Sequence, residues 1–164
     1  PGLRPTPDRV RETLFNWLGQ DLTDWRCVDA FAGTGALGFE AASRGAKSVL
    51  MLEQDAQLVV LLVETQQRLS ATAVQVQKGD AMMALQRLAP SSMDVIFLDP
   101  PFDGPHFEKA LLAAAQAVMP GGWVYLEAPV AWQAEALTAC GLLPIKYMKA
   151  GAVHAHLLQR PVEG

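Results

Sequence analysis

Basic side chains are in short supply: 13 lysines and arginines stand against 17 aspartates and glutamates, a formal net charge of −4. Taken as a sum, that charge argues against a nucleic-acid-binding domain, which is usually basic. The cations are unevenly placed, however, with Arg4, Arg9 and Arg11 crowding the start and Lys146, Lys149 and Arg160 marking the end. Cysteine is scarcer still. Cys27 and Cys140 lie far apart in apolar contexts, which excludes a disulfide scaffold and a cysteine zinc site and fits reduced core thiols in a cytosolic protein. The longest apolar runs, Leu58 to Val63 and Ala110 to Ala115, fall far short of the ~20 residues of a membrane span. A basic start followed by an apolar stretch and a cleavage site is missing, as are repeats, linkers and low-complexity tracts. What is present, 51% hydrophobic and 18% charged residues over 164 positions, suits one domain across residues 1–164 with a sizeable core. A monomer is expected, because no large apolar surface stripe stands out.

Thr6-Pro7-Asp8 opens a helix, with Thr6 as the cap, Pro7 in the first turn and Asp8 at the positive end. Val10, Leu14, Trp17 and Leu18 fall on one face of that helix; Arg9 and Arg11 lie off it, as a solvated face or as RNA phosphate contacts. Strands are expected at 27–31, 48–53, 74–78, 94–99 and 123–127, with helices between them and Pro120-Gly121-Gly122 as a turn before the fifth strand. A helix over 132–140 and two strands, 142–149 and 152–159, complete the chain. Alternating strands and helices predict an α/β fold, a mostly parallel seven-stranded sheet with helices on both faces. The short link at Ala150-Gly151 makes the last strand antiparallel.

Two stretches carry chemistry. Val95-Ile96-Phe97-Leu98 reads as a buried strand that ends in Asp99-Pro100-Pro101-Phe102. The carboxyl end of a central strand is where open α/β sheets bind ligands. A carboxylate, a rigid proline carbonyl and a flat ring meet there, a set suited to a planar substrate bearing an amino group. Gly33-Thr34-Gly35-Ala36-Leu37-Gly38 forms a G-x-G-x-x-G loop between a strand and a helix, with Glu53 ending the next strand 20 residues on. That spacing fits a nucleoside-bearing cofactor, its ribose hydroxyls held by Glu53, and admits both NAD and S-adenosylmethionine. Asp80 ends the third strand, where it can accept from an adenine amino group, and Asp29 ends the first, where it can meet an ammonium. A ring of Asp29, Glu53, Asp80 and Asp99 repels a pyrophosphate and accepts a sulfonium zwitterion. Singly, Asp29 or Asp80 also suits a helix cap.

Leu3-Arg4-Pro5-Thr6, Asp8 to Asn16, Phe31 to Gly38, Ser43-Arg44-Gly45-Ala46 and Asp99-Pro100-Pro101-Phe102 together resemble, in order, the signatures of the bacterial guanine-N2 methyltransferases of small-subunit 16S ribosomal RNA. The resemblance implies a Rossmann-like class I methyltransferase fold. It places S-adenosylmethionine at Gly33, Gly35, Glu53 and Asp80, with Asp29, Phe31, Leu37, Ala81 and Asp99 completing the cofactor set and no metal. Asp99, Pro100 and Phe102 form the catalytic set; Arg4, Arg9, Arg11, Pro101 and Phe102 face RNA, within a small-subunit assembly intermediate in the cytoplasm. Relatives carry a basic segment ahead of the Leu-Arg-Pro-Thr motif, so one is expected upstream of Pro1. Thr65 and Ala155 depart from the family, which commonly has asparagine and an aromatic residue there.

Guanine's exocyclic amine is a poor nucleophile because its lone pair delocalises into the ring. If Asp99 and the Pro100 carbonyl accept its two hydrogens, the nitrogen pyramidalises towards the methyl donor. Phe102 then stacks on an extruded base. Three rival readings remain at this stage: an adenine-N6 methyltransferase, an NAD-dependent oxidoreductase and a non-catalytic RNA-binding relative. His154 and His156 alternate on one strand face and read as a surface or RNA-facing pair, since no third metal ligand is near. His106 borders the expected substrate mouth or simply opens a helix.

Overall fold

A computed structural model describes residues 6–101 and 105–162. Arg4 and Phe102 lie outside the described residues. The elements follow the order α1 (Asp8–Trp17), β1 (Arg26–Ala30), α2 (Ala36–Ser43), β2 (Ser48–Glu53), α3 (Ala56–Arg68), β3 (Val74–Lys78), α4 (Ala81–Arg87), β4 (Met93–Leu98), α5 (Pro105–Ala117), β5 (Val118–Ala128), α6 (Ala134–Ala139), β6 (Leu143–Ala150) and β7 (Val153–Gln159). The strands form one sheet in the order β3-β2-β1-β4-β5-β7-β6. The first five run parallel, and β7 inserts between β5 and β6 antiparallel to both. The strand order reverses between β1 and β4, the switch point at which such sheets open a crevice.

Period-two alternation divides the strands between two cores. Val28, Ile96, Leu98, Val124 and Leu126 pack with Leu85, Leu111 and Leu137 of α4, α5 and α6. On the opposite face Cys27, Met51, Val95, Phe97, Tyr125 and Leu157 pack with Leu14 and Phe15 of α1, Leu37 of α2 and Leu62 of α3. Both cysteines are buried and free. Among the described residues, no helix is long and apolar enough to cross a membrane.

Three expectations need correction. Pro120-Gly121-Gly122 lies inside β5 rather than before it. The register to β4 jumps from Met93–Val118 to Val95–Trp123, so the extra residues bulge. The bulge stays in the sheet because Gly121 N–H donates to Arg160 O and Arg160 N–H donates to Gly122 O, each at 3.0 Å. Thr6 does not cap α1: Pro7 occupies that position without a side-chain hydrogen bond, and the Thr6 hydroxyl turns to β5. His156 is no surface residue but 3% exposed. Trp132 N–H donates to its Nε2 at 3.1 Å, so Nδ1 carries the proton and faces Leu126 O at 3.2 Å. Burial pushes that imidazole down from its ordinary value. His154 does share its strand face, and both rings lie against Tyr147.

Candidate active site

A cleft of about 1400 Å³ opens at the carboxyl ends of the parallel strands. Its lining joins the two chemistry-bearing stretches: Phe31, Ala32 and Gly33 on one side, Asp99, Pro100 and Pro101 on the other. Asp29, Leu37, Glu53, Asp80 and Ala81 of the expected cofactor set line the same cleft, and Gly35 does not.

The loop after β1 is tightly wound. Phe31, Gly33 and Gly35 take φ of 61°, 58° and 76°, the left-handed region that glycine enters freely and phenylalanine does not. Holding Phe31 there costs on the order of 1–3 kcal/mol, offset by the hydrogen bond from Ala32 N–H to Leu52 O at 2.9 Å and by Glu53. The Glu53 carboxylate accepts from Gly33 N–H at 2.8 Å through Oε1 and from Asp55 N–H at 2.9 Å through Oε2. It thereby braces the loop while lining the cleft. Gly35 does not line the cleft; it caps α2 from behind, where a Cβ would meet Leu62 and Phe39 at 2.7 Å.

The acids differ in their surroundings. Asp29 is 5% exposed and accepts from Gly38 N–H at 2.9 Å. Burial pushes its carboxyl up to about 8 against the Gly38 hydrogen bond, and the charges of Asp99, Glu127 and Glu53 add to the rise. Asp80 caps α4 through Oδ1, which accepts from Met82 N–H at 2.9 Å and Met83 N–H at 3.2 Å. It remains on the cleft wall as well, so capping and lining coexist. Asp99 reaches solvent through the cleft, yet the protein around it pushes its carboxyl up to about 7, with the Glu127 charge second.

Glu127 escaped the sequence reading. It lies in β5, next to the last residue of the strand and one step beyond the Leu98–Leu126 pair, on the side of Asp99. It is 5% exposed, and its Oε2 accepts from the Thr6 hydroxyl at 2.7 Å. Burial raises its carboxyl, while Thr6 and the nearby Tyr125 hydroxyl hold it down. That buried hydroxyl has no partner of full hydrogen-bond geometry among the described residues. The one available signal was an acid inside the apolar run Val124 to Ala128. Arg9 is exposed on α1. Arg11 is engaged by Asp8 at 3.2 Å and Glu40 at 3.3 Å, which ties it to the protein surface rather than leaving it extended. His106 lines the cleft mouth.

A family model described as conserved hypothetical protein 95 matches residues 1–159. Ribosomal RNA small subunit methyltransferase D of Escherichia coli is 36% identical over an alignment that covers 100% of this chain and 83% of the relative. The chain belongs to this family. Two solved structures share the fold. A putative methyltransferase from Escherichia coli superposes with a TM-score of 0.84 at 34% identity, covering 99% of this chain and 90% of that one. A putative methylase from Haemophilus influenzae gives 0.77 at 33% identity, covering 96% and 99%. The fold is thus that of the class I methyltransferases, and this chain's own glycine loop and Asp99-Pro100-Pro101 turn both line its cleft.

Proposed function

We propose that this protein is an S-adenosylmethionine-dependent methyltransferase that modifies the exocyclic N2 of a guanine in small-subunit ribosomal RNA. The single observation that carries the reading is the opening of the glycine loop and of Asp99-Pro100 into one cleft. The donor set suits the cofactor. Asp29, Glu53, Asp55, Asp80, Asp99 and Glu127 line the cleft against Lys109 as the one Lys or Arg among the described residues, a field that favours a sulfonium and an ammonium and disfavours a pyrophosphate. Asp29 would hold the ammonium, Glu53 the ribose hydroxyls and Asp80 the adenine amine. When bound, S-adenosylmethionine supplies a methyl group activated by a positive sulfur and leaves as S-adenosylhomocysteine.

The protein's own part is orientation and proton removal. Asp99 and the Pro100 carbonyl accept the two amine hydrogens, which turns the nitrogen lone pair towards the methyl carbon. Once the amine had taken up the methyl group supplied by the donor, its surplus proton would pass to Asp99. Such positioning supplies ~7–11 kcal/mol of the barrier reduction. A carboxylate pushed up to about 7 is a better proton acceptor near neutrality than an ordinary one. Phe102 stacks on the extruded base, and Arg4, Arg9 and Pro101 border the RNA. The same reading makes the protein a monomeric, single-domain cytoplasmic enzyme that meets its RNA in a small-subunit assembly intermediate.

Nucleoside analysis of small-subunit RNA treated with the protein and S-adenosylmethionine tests this. N2-methylguanosine is expected, and Asp99→Ala lowers its formation by at least roughly 10²-fold with RNA affinity retained. N6-methyladenosine as the product, or equal turnover by the variant, overturns the reading.

A further inference from the structure

From the pairing of Asp99 with Glu127 at neighbouring strand ends we infer that Glu127 reads guanine at N1–H and so selects guanine over bases with an unprotonated N1. This rests on the guanine-N2 reading above and goes beyond it by naming the group that sets base choice. Asp99 follows Leu98 and Glu127 follows Leu126, and Leu98 and Leu126 are register partners in parallel strands. Phe97 and Tyr125 are partners two residues earlier, so both carboxylates issue from the same sheet face about 4.8 Å apart in strand spacing. Both line the cleft.

The Glu127 carboxylate is held rather than free to swing. The Thr6 hydroxyl donates to Oε2 at 2.7 Å, and 5% exposure leaves the side chain little room. Beside this bond and the nearby Tyr125 hydroxyl, a carboxylate still has acceptor positions to offer, and Glu127 lines the cleft.

Guanine presents two neighbouring donors on its Watson–Crick edge, the N2 amine and N1–H. With the amine on Asp99 and the Pro100 carbonyl, N1–H comes next along the edge and meets a second acceptor. Adenine places a bare lone pair at N1 beside its amine, so a carboxylate there opposes it. Flipped bases are commonly read by hydrogen bonds to this edge. A site built around a hydrogen bond rejects analogues that cannot make it far more strongly than a shape-matched apolar pocket does. An acceptor facing another acceptor adds repulsion to the lost bond.

The probe is small-subunit RNA carrying either guanosine or 2-aminopurine riboside at the methylated position, presented in whichever assembly form the wild type modifies. 2-Aminopurine keeps the exocyclic N2 amine and lacks N1–H. Wild type is expected to favour guanosine in kcat/KM by at least roughly 10²-fold. In Glu127→Gln, whose amide can donate to an unprotonated N1, the preference falls to within roughly tenfold. A cooperative thermal unfolding transition shows that the variant folds. A wild-type ratio near one overturns the inference even if the variant fails to fold, and so does a folded variant that keeps the full wild-type preference. No methylation of guanosine by wild type, in any assembly form, refutes the guanine reading itself and is a separate outcome.

Discussion

Gly35 is the residue whose replacement separates backbone conformation from space. It takes φ of 76°, and an added Cβ would lie 2.7 Å from Leu62 Cδ2 and from the Phe39 ring. Gly151 takes φ of 59° at the β6–β7 reversal, where nothing lies within 4 Å of an added Cβ. Alanine at residue 151 therefore pays for left-handed backbone alone, about 1–2 kcal/mol. Alanine at residue 35 adds overlap with a buried leucine and a ring on the same helix, a further ~1–3 kcal/mol. Urea unfolding with unchanged m-value should show Gly35→Ala losing clearly more stability than Gly151→Ala. Equal losses would mean that the loop's glycine serves conformation only.

At the scale of elements, α1 determines how Thr6 reaches β5. Phe15 packs on Phe97 with centroids 6.0 Å apart, and Phe97 meets Tyr125 edge-on at 6.4 Å, so α1 rests directly beneath the strand ends that carry Asp99 and Glu127. Glu40 of α2 pins the outer side of α1: Arg11 lies 3.3 Å and Arg44 2.9 Å from its carboxylate, and Arg44 also sits 5.0 Å over the Phe15 ring. These side chains are about one quarter exposed, so Glu40→Ala is expected to cost only about 1 kcal/mol. That is a fall of about 2–4 °C in Tm for a domain of this size, smaller in high salt because the pairs are partly screened. An unchanged Tm at low salt would show that α1 is held by its apolar face alone. Most elements were legible because hydrophobic periodicity and glycine or proline boundaries agree. Asp99 and the glycine loop were legible because their residues sit at fixed offsets from strand ends. Pro120 to Gly122 was misread because local turn chemistry says nothing about the neighbours, Met93 on one side and Arg160 on the other, that absorb the bulge. Glu127 and His156 depended on strand order. The insertion of β7 beside β5 buries His156, and the adjacency of β4 and β5 sets Glu127 next to Asp99.

For the molecule as a whole, the acid-lined cleft couples stability and ligand affinity to pH in opposite senses. Asp29 is pushed up to about 8 and Glu127 is raised too, both mainly by burial, and the protein around the solvent-reaching Asp99 pushes it up to about 7. Between the ordinary carboxylate range near 4 and about pH 8, the folded protein thus holds protons that the unfolded chain has released. When the native state binds more protons, stability falls as pH rises. His156, lowered by burial, acts the other way, but its contribution is lost as pH falls through the ordinary imidazole value of 6.5 and is nearly constant above it. The ligand-free protein is therefore expected to melt at a lower temperature at pH 8.5 than at pH 6.5, with Asp29→Asn flattening the difference. A sulfonium and an ammonium placed among these carboxylates favour their ionised forms, so cofactor binding must expel protons. Affinity for S-adenosylmethionine should rise over the same interval, and calorimetry in two buffers of different ionisation enthalpy should count net proton release near pH 7. A melting temperature that climbs from pH 6.5 to 8.5, together with binding that releases no protons, would show the cleft acids to be already ionised in the free protein.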